Sequence, residues 1–184
     1  QFNENGVLLY EGLFRDGLYH GEGTLFRGNG SKYISGKWVF GKPHGPVQFY
    51  FPDNGLLQYE GGLKKMDDGS FVFQGQGTLY NQTGQSVYQG LWEDGTRSGN
   101  GTAWLEDGSI YSGNWVDDYP DGKGTYLFPD GTEYEGGFIR GKKHGQGTFK
   151  EADGFVSYDG EWKDGQRFGR GRVNKRDSSS YEGD

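Results

Sequence analysis

A chain of 184 residues has room for one or two ordinary domains. It holds only two alanines, however, and Leu, Ile, Val and Phe make up about a fifth of it, which excludes a conventional core of buried helices. A net charge of −7 disfavours general attraction to nucleic acid. The absence of cysteine excludes a disulfide framework and a thiolate metal site, and no apolar run reaches the roughly 18 residues that a membrane helix needs. The 37 glycines push toward disorder, while 13 Tyr, 13 Phe and 5 Trp can bury a large area at low entropy cost, so their spacing decides between the two.

Taken in chain order, the first strand-like segment carries Tyr10, Gly12 and Phe14 at alternate positions. The same triplet returns as Ile34, Gly36 and Trp38, then Tyr59, Gly61 and Leu63, then Tyr88, Gly90 and Trp92. It continues as Tyr111, Gly113 and Trp115, then Tyr134, Gly136 and Phe138, then Tyr158, Gly160 and Trp162. Tyr181 and Gly183 open an eighth copy. Successive starts lie 24, 25, 29, 23, 23, 24 and 23 residues apart, a regularity that makes this one continuous repeat array over residues 1–184. The chain is expected to be a segment of a longer protein.

Each repeat has a second half of the form G-x-x-x-G-x-G-T, complete from Gly17 to Thr24, Gly95 to Thr102 and Gly141 to Thr148. Asp118 replaces the leading glycine in the fifth repeat and Arg172 the threonine in the seventh, while Pro46 and Val47 follow Gly45 in the second. Most repeats then close on Asn-Gly or Asp-Gly, at Asn29, Asn54, Asp107, Asp130 and Asp153, the strongest short hairpin signal. The N-x-[ST] matches at Asn29, Asn81 and Asn100 are by-products of this turn composition.

In a strand, alternate side chains share a face, so the triplet presents aromatic, glycine, aromatic on one side. The intervening residues, such as Glu11, Ser35, Lys37, Ser112 and Asp159, face water. The central glycine leaves a gap for a neighbouring ring. Leu25, Phe49, Leu79, Tyr126, Phe149 and Val173 recur at one offset in the second strand and are expected to complete the core.

The joint pattern, Y-x-G-x-W followed by G-x-x-x-G-x-G-T and D-G, resembles the MORN repeat family over nearly the whole chain. The resemblance implies an all-β fold: an elongated, single-layer, twisted antiparallel sheet of tandem β-hairpins with a groove along one face. It also implies a scaffold role in cytoskeletal, ciliary or membrane-junction organisation and a cytoplasmic setting, associated with cytoskeleton or membrane.

Chemistry is sparse. His20, His44 and His144 all precede the central glycine of their repeats, and equivalent slots lie about 9–10 Å apart along a sheet, too far for two to share a zinc. The G-x-G elements fall inside hairpins and not between a strand and a helix, which removes the phosphate-loop reading. No carboxylate pair or Ser-His-Asp set stands out, so no catalytic, metal or cofactor residue is assigned and no enzyme activity is expected.

Three features are singled out for binding. The aromatic stripe of Tyr88, Trp92, Tyr111, Trp115, Tyr134, Phe138, Tyr158 and Trp162 is expected to line a groove for a protein partner, a peptide or amphipathic helix. Residues 138–176 carry ten Lys/Arg against five Asp/Glu, and Arg140, Lys142, Lys143, Lys163, Arg167, Arg170 and Arg172 form a basic patch for an acidic partner or anionic lipid, the latter the weaker alternative. The third repeat inserts about five residues, Lys64, Lys65, Met66, Asp67 and Asp68, as an elongated hairpin or a binding loop. Open sheet edges allow self-association into homo-oligomers. A regulatory array within a larger enzyme is a further alternative.

Overall fold

The computed structural model describes residues 1–183, which form fifteen β-strands and no helix. Two compact units divide the chain, residues 1–96 and the residues from Arg97 onward. The first holds β1 (Tyr10–Arg15), β2 (Leu18–Phe26), β3 (Lys32–Val39), β4 (Lys42–Tyr50), β5 (Leu57–Lys65), β6 (Phe71–Tyr80) and β7 (Ser86–Glu93). The second holds β8 (Thr96–Trp104), which starts at the junction, β9 (Ile110–Val116), β10 (Tyr119–Leu127), β11 (Glu133–Ile139), β12 (Lys142–Lys150), β13 (Val156–Lys163), β14 (Gln166–Asn174) and β15 (Ser180–Gly183). Within each unit every strand pairs antiparallel with its neighbours in sequence.

Two kinds of turn alternate. At the hairpin tips, two consecutive residues take positive φ, as at Asp16 and Gly17, Asp94 and Gly95, and Asp164 and Gly165; this is the turn whose twist matches paired strands. At the other end the Asn or Asp of each closing signal accepts a backbone N–H two residues on, as Asp107 does from Ser109 (2.8 Å) and Asp130 from Thr132 (2.9 Å). The third repeat uses this second kind at its tip as well. Met66 N–H bonds the Ser70 carbonyl (2.9 Å), and Lys64 and Lys65 pair with Val72 and Phe71. The insertion is therefore an elongated hairpin, and it brings Phe71 against Tyr33 and Trp38.

The glycines have a geometric reason. Register shifts fall between the third and fifth triplet positions, opposite the central glycine of the second strand, which bulges at positive φ, as at Gly21 (65°) and Gly145 (71°). Beside each bulge two glycines face each other, such as Gly61 with Gly77 and Gly136 with Gly147. With no Cβ on either, the repeat's own tyrosine lies flat across the pair, and a methyl group on Gly77 or Gly147 would fall on the ring of Tyr59 or Tyr134. Each such phenol then donates to the carbonyl three residues on, Tyr59 to Gly62 (3.1 Å), Tyr88 to Leu91 (3.1 Å), Tyr111 to Asn114 (2.9 Å), Tyr134 to Gly137 (3.0 Å) and Tyr158 to Glu161 (2.9 Å).

The second repeat departs from this pattern in a compensated way. Ile34 stands where the others have tyrosine, and Val47 faces Gly36 where the others have glycine, both fully buried. Valine fills the volume the phenol vacates.

The tryptophans tie one repeat to the next. Trp38, Trp92, Trp115 and Trp162 donate their indole N–H to the carbonyls of Gly23 (3.1 Å), Gly77 (3.4 Å), Gly101 (3.1 Å) and Gly147 (2.9 Å) of the preceding repeat. Leu25, Phe49, Leu79, Tyr126, Phe149 and Val173 pair with Tyr10, Ile34, Tyr59, Tyr111, Tyr134 and Tyr158, as the offset implied. Core and register thus sit on one face, the ring face, of each unit.

Candidate functional site

The ring face is not an open groove. Tyr88, Trp92, Tyr111, Trp115, Tyr134, Phe138, Tyr158 and Trp162 are each at most 6% exposed. This corrects the expectation that their rings line a partner site: the glycine pairs let each tyrosine lie flat, and side chains from the second strands cover it. Burial pushes the core phenols up, Tyr10, Tyr59, Tyr111 and Tyr158 above their ordinary value and Tyr134 to about 12.

The covering residue sits two positions before the central glycine. It is Tyr19, Pro43 and Phe73 in the first unit and Arg97, Pro120, Lys143 and Arg167 in the second. Tyr19 stacks on Tyr10 and Phe73 on Tyr59, both at 3.9 Å, and each also meets the next tryptophan, Trp38 at 5.5 Å and Trp92 at 5.0 Å. In the second unit cations take three of the four places. Arg97 lies 4.3 Å above Trp115, Arg167 4.6 Å above Tyr158, and Lys143 Nζ within 4.8 to 5.1 Å of Phe128, Tyr134, Phe149 and Trp162. Arg97 is pinned by Asp118, which accepts both its Nε–H and its backbone N–H (2.9 Å each). The aspartate that broke the glycine pattern in the fifth repeat therefore has a partner. Burial, and then the charge of Arg167, hold the Lys143 amine below its ordinary value.

The concavities lie on the opposite, polar face. A depression of about 700 Å³ in the second unit is bordered by Ser112, Thr125, Glu135, His144, Thr148 and Asp159 over a backbone floor at glycine positions. A second, of about 690 Å³, shares Gln146 and Asp159 with it and adds Glu161, Arg170, Arg172 and Glu182. The first unit has a smaller one of about 350 Å³ between Glu22, Thr24, Ser35, Gln48 and Glu60. At the margin of the larger trough Lys150 bonds Glu133 (2.7 Å) and Glu135 (2.9 Å), which hold it above its ordinary value.

The basic patch does not form one surface. Lys143 and Arg167 lie on the ring face, and Arg170 and Arg172 line the polar trough. Arg140 occupies a hairpin tip 5.1 Å above Tyr119, Lys142 pairs with Ile139, and Lys163 lies 4.9 Å over Phe168. The insertion residues sit on the elongated hairpin, where Lys64 bonds Asp94 (2.7 Å) and Met66, Asp67 and Asp68 are exposed at the tip. His20 has a buried Nδ1 with no hydrogen-bond partner and its ring edge to Phe40 at 5.7 Å. No group of three or more His, Asp or Glu side chains among the described residues is arranged to hold a metal.

The covering role escaped the sequence reading because Lys143 and Arg167 read as surface charge and Arg97 was not singled out. Their shared offset from the central glycine was the available signal.

Among solved structures, a single-substitution mutant of the TCP10 domain of Danio rerio CPAP is similar over 88% of this chain and 93% of that one, at 15% identity and a TM-score of 0.22. At that score the likeness does not extend to function. No curated protein sequence matches the chain. The MORN repeat model matches residues 10–32, 35–56, 88–110, 111–133, 134–155 and 158–173; the elongated third repeat and the eighth start fall outside it, although β5, β6 and β15 keep the same pairing. With most of its length so matched and the hairpin register in place, the chain belongs to the MORN repeat family.

Proposed function

We propose that the chain is a non-catalytic scaffold that holds a protein segment along its polar trough, within a cytoskeletal, ciliary or membrane-junction assembly in the cytoplasm. The observation that carries this reading is the division of labour between the faces. The aromatic stripe of the ring face is buried by internal packing, while the polar face offers depressions of about 700 and 690 Å³ that share residues and run over bare backbone. Thr125, Thr148 and Gln146 give an extended or helical segment polar contacts, and Glu135, Asp159, Glu161 and Glu182 outnumber the Lys123, Arg170 and Arg172 beside them, which favours a basic one. The test is a photoreactive phenylalanine at Thr125 or Thr148, compared with one at Phe149 on the ring face, in cells making the full-length protein. Protein crosslinks from the two trough positions are expected; crosslinks from Phe149 alone overturn the reading.

A second reading, contact with an anionic membrane surface, is favoured by exposed Val116, Tyr119, Ile139 and Phe168 near Arg140, Lys142 and Lys163 at the hairpin tips of the second unit. Flotation with phosphatidylserine vesicles at low salt is its test. Absence of flotation removes it.

A further inference from the structure

The cations of the second unit differ in their counter-charges. Arg97 has Asp118, Lys150 has Glu133 and Glu135, and Arg176 has Asp153. Lys143 and Arg167 have no carboxylate partner among the described residues, and they meet at one residue: Lys143 Nζ lies 4.9 Å from the ring of Trp162, whose pairing partner on the next strand is Arg167. Their side chains are not loose. Lys143 is cradled by four rings and Arg167 lies on Tyr158, on consecutive hairpins. Two like charges held side by side repel each other, and an anion placed between them relieves the repulsion. Because four rings already hold Lys143, little of its rotamer freedom remains to be lost on binding.

We propose that Lys143 and Arg167 form an anion-receiving site on the ring face for a carboxylate of an acidic protein segment, whose apolar neighbours rest against Phe128 and Phe149. The site goes beyond the trough and uses the other face. Charge complementarity selects the occupant: residues 138–176 carry a twofold excess of cations, and the two nearest tips hold Arg140, Lys142 and Lys163 against one carboxylate, Asp164. A projecting side chain reaches the recessed, half-buried Lys143. A membrane is the poorer fit, since the exposed Ile139 and Phe168 that would enter it lie with Lys142 and Lys163 and not beside the cradled lysine. At the corresponding positions the first unit has Tyr19, Pro43 and Phe73, so it carries no such site.

The experiment uses the full chain and a fluorescein-labelled peptide of glutamates interspersed with leucines, read by anisotropy at two salt concentrations. Wild type is expected to bind, more weakly at higher salt. Lys143→Met with Arg167→Gln should weaken binding about tenfold or more, while Lys143→Arg with Arg167→Lys should keep most of it. Lys37→Ala with Lys42→Ala in the first unit serves as the control and should change nothing. Thermal melts verify folding, and the charge-conserving pair keeps the test decisive if the neutral pair unfolds. Less than about a twofold loss in a folded neutral pair overturns the proposal, as does equal loss in the first-unit control. Binding of phosphatidylserine vesicles but not the peptide overturns it too. Peptide capture here without crosslinks at Thr125 or Thr148 would remove the trough reading alone.

Discussion

The first and second units share a frame of tyrosine laid over paired glycines and tryptophan bonded to the preceding repeat, and they differ in what covers that frame. In the first, Tyr19 and Phe73 stack face to face on tyrosines at 3.9 Å. In the second, Lys143 and Arg167 stand over the same ring positions at 5.1 and 4.6 Å. The cover therefore tolerates a cation where it would accept an aromatic ring, because a long alkyl stem packs on apolar surface while its charge meets the ring faces. Covering the rings with a cation keeps the frame and adds charge to the surface. The repeat can vary its binding chemistry at that position without changing its fold.

The largest expected effect tests whether the frame is common to both units. Gly77→Val in the first and Gly147→Val in the second place methyl groups on the rings of Tyr59 and Tyr134, and each should cost about 3 kcal/mol or more in denaturant unfolding followed by tryptophan fluorescence. The Ile34 and Val47 pair shows the compensated form. Adding Tyr59→Ile to Gly77→Val, or Tyr134→Ile to Gly147→Val, should recover about 1–2 kcal/mol. A double variant no more stable than its single parent, in either unit, would break the idea of a shared frame.

Alkaline pH separates frame from cover. The buried phenols titrate higher in the folded chain than their ordinary value near 10, so the unfolded chain binds fewer protons in this range. Their contribution is complete below about pH 10 and falls as pH rises toward the folded value, about 12 for Tyr134. Lys143 acts in the opposite sense: its folded value is depressed, so between that value and its ordinary 10.5 the unfolded chain binds more protons and stability rises with pH. Thermal melts from about pH 8 to pH 12 should show a decline above pH 10 in wild type, and Lys143→Met should remove any rise that precedes it. A decline starting well below pH 10 would contradict the phenol assignment.

Exchanging the covers is a smaller perturbation. Phe73→Lys removes a stacked ring from Tyr59 and Trp92 and should cost about 1–2 kcal/mol. Lys143→Phe exchanges a half-buried ammonium for apolar area in a cradle of rings and should stay within about 1 kcal/mol of wild type, measured the same way. If Lys143→Phe costs as much as Phe73→Lys, the cation is itself structural and the two covers are not equivalent.

What could be read from the sequence follows this division. Hairpin register, ring face and core were legible because strand alternation, the glycine pairs and the Asn-Gly and Asp-Gly turns act within one repeat or between neighbours. The groove was not. A period of two places Trp92 and Trp115 on a face but says nothing of how deeply that face is covered, and covering depends on Phe73 and Arg97 in the second strands. Nor does spacing reveal which face is concave. Lys143 and Arg170 read alike as basic residues, yet a register of odd and even positions sends one to the rings and the other to the trough.

The smallest expected effect concerns the hairpin tips. Four tips begin with aspartate at positive φ, which that residue tolerates, but Phe40 and Arg140 hold the same conformation at φ of 47° and 46°. Such a backbone costs a bulky residue about 1 kcal/mol relative to asparagine or glycine. In the first unit Phe40 is half exposed, with the His20 ring at 5.7 Å and the guanidinium of Arg15 at 5.8 Å. Phe40→Asn should therefore raise stability by about 0.5–1 kcal/mol. Arg140 recovers part of its cost by lying 5.1 Å above Tyr119, so Arg140→Asn should gain less, about 0.5 kcal/mol or below. Thermal melts of the two single variants measure this difference. Equal gains would mean that the Arg140 stack contributes nothing, and a loss at Phe40 would mean that its ring packs more tightly than its exposure indicates.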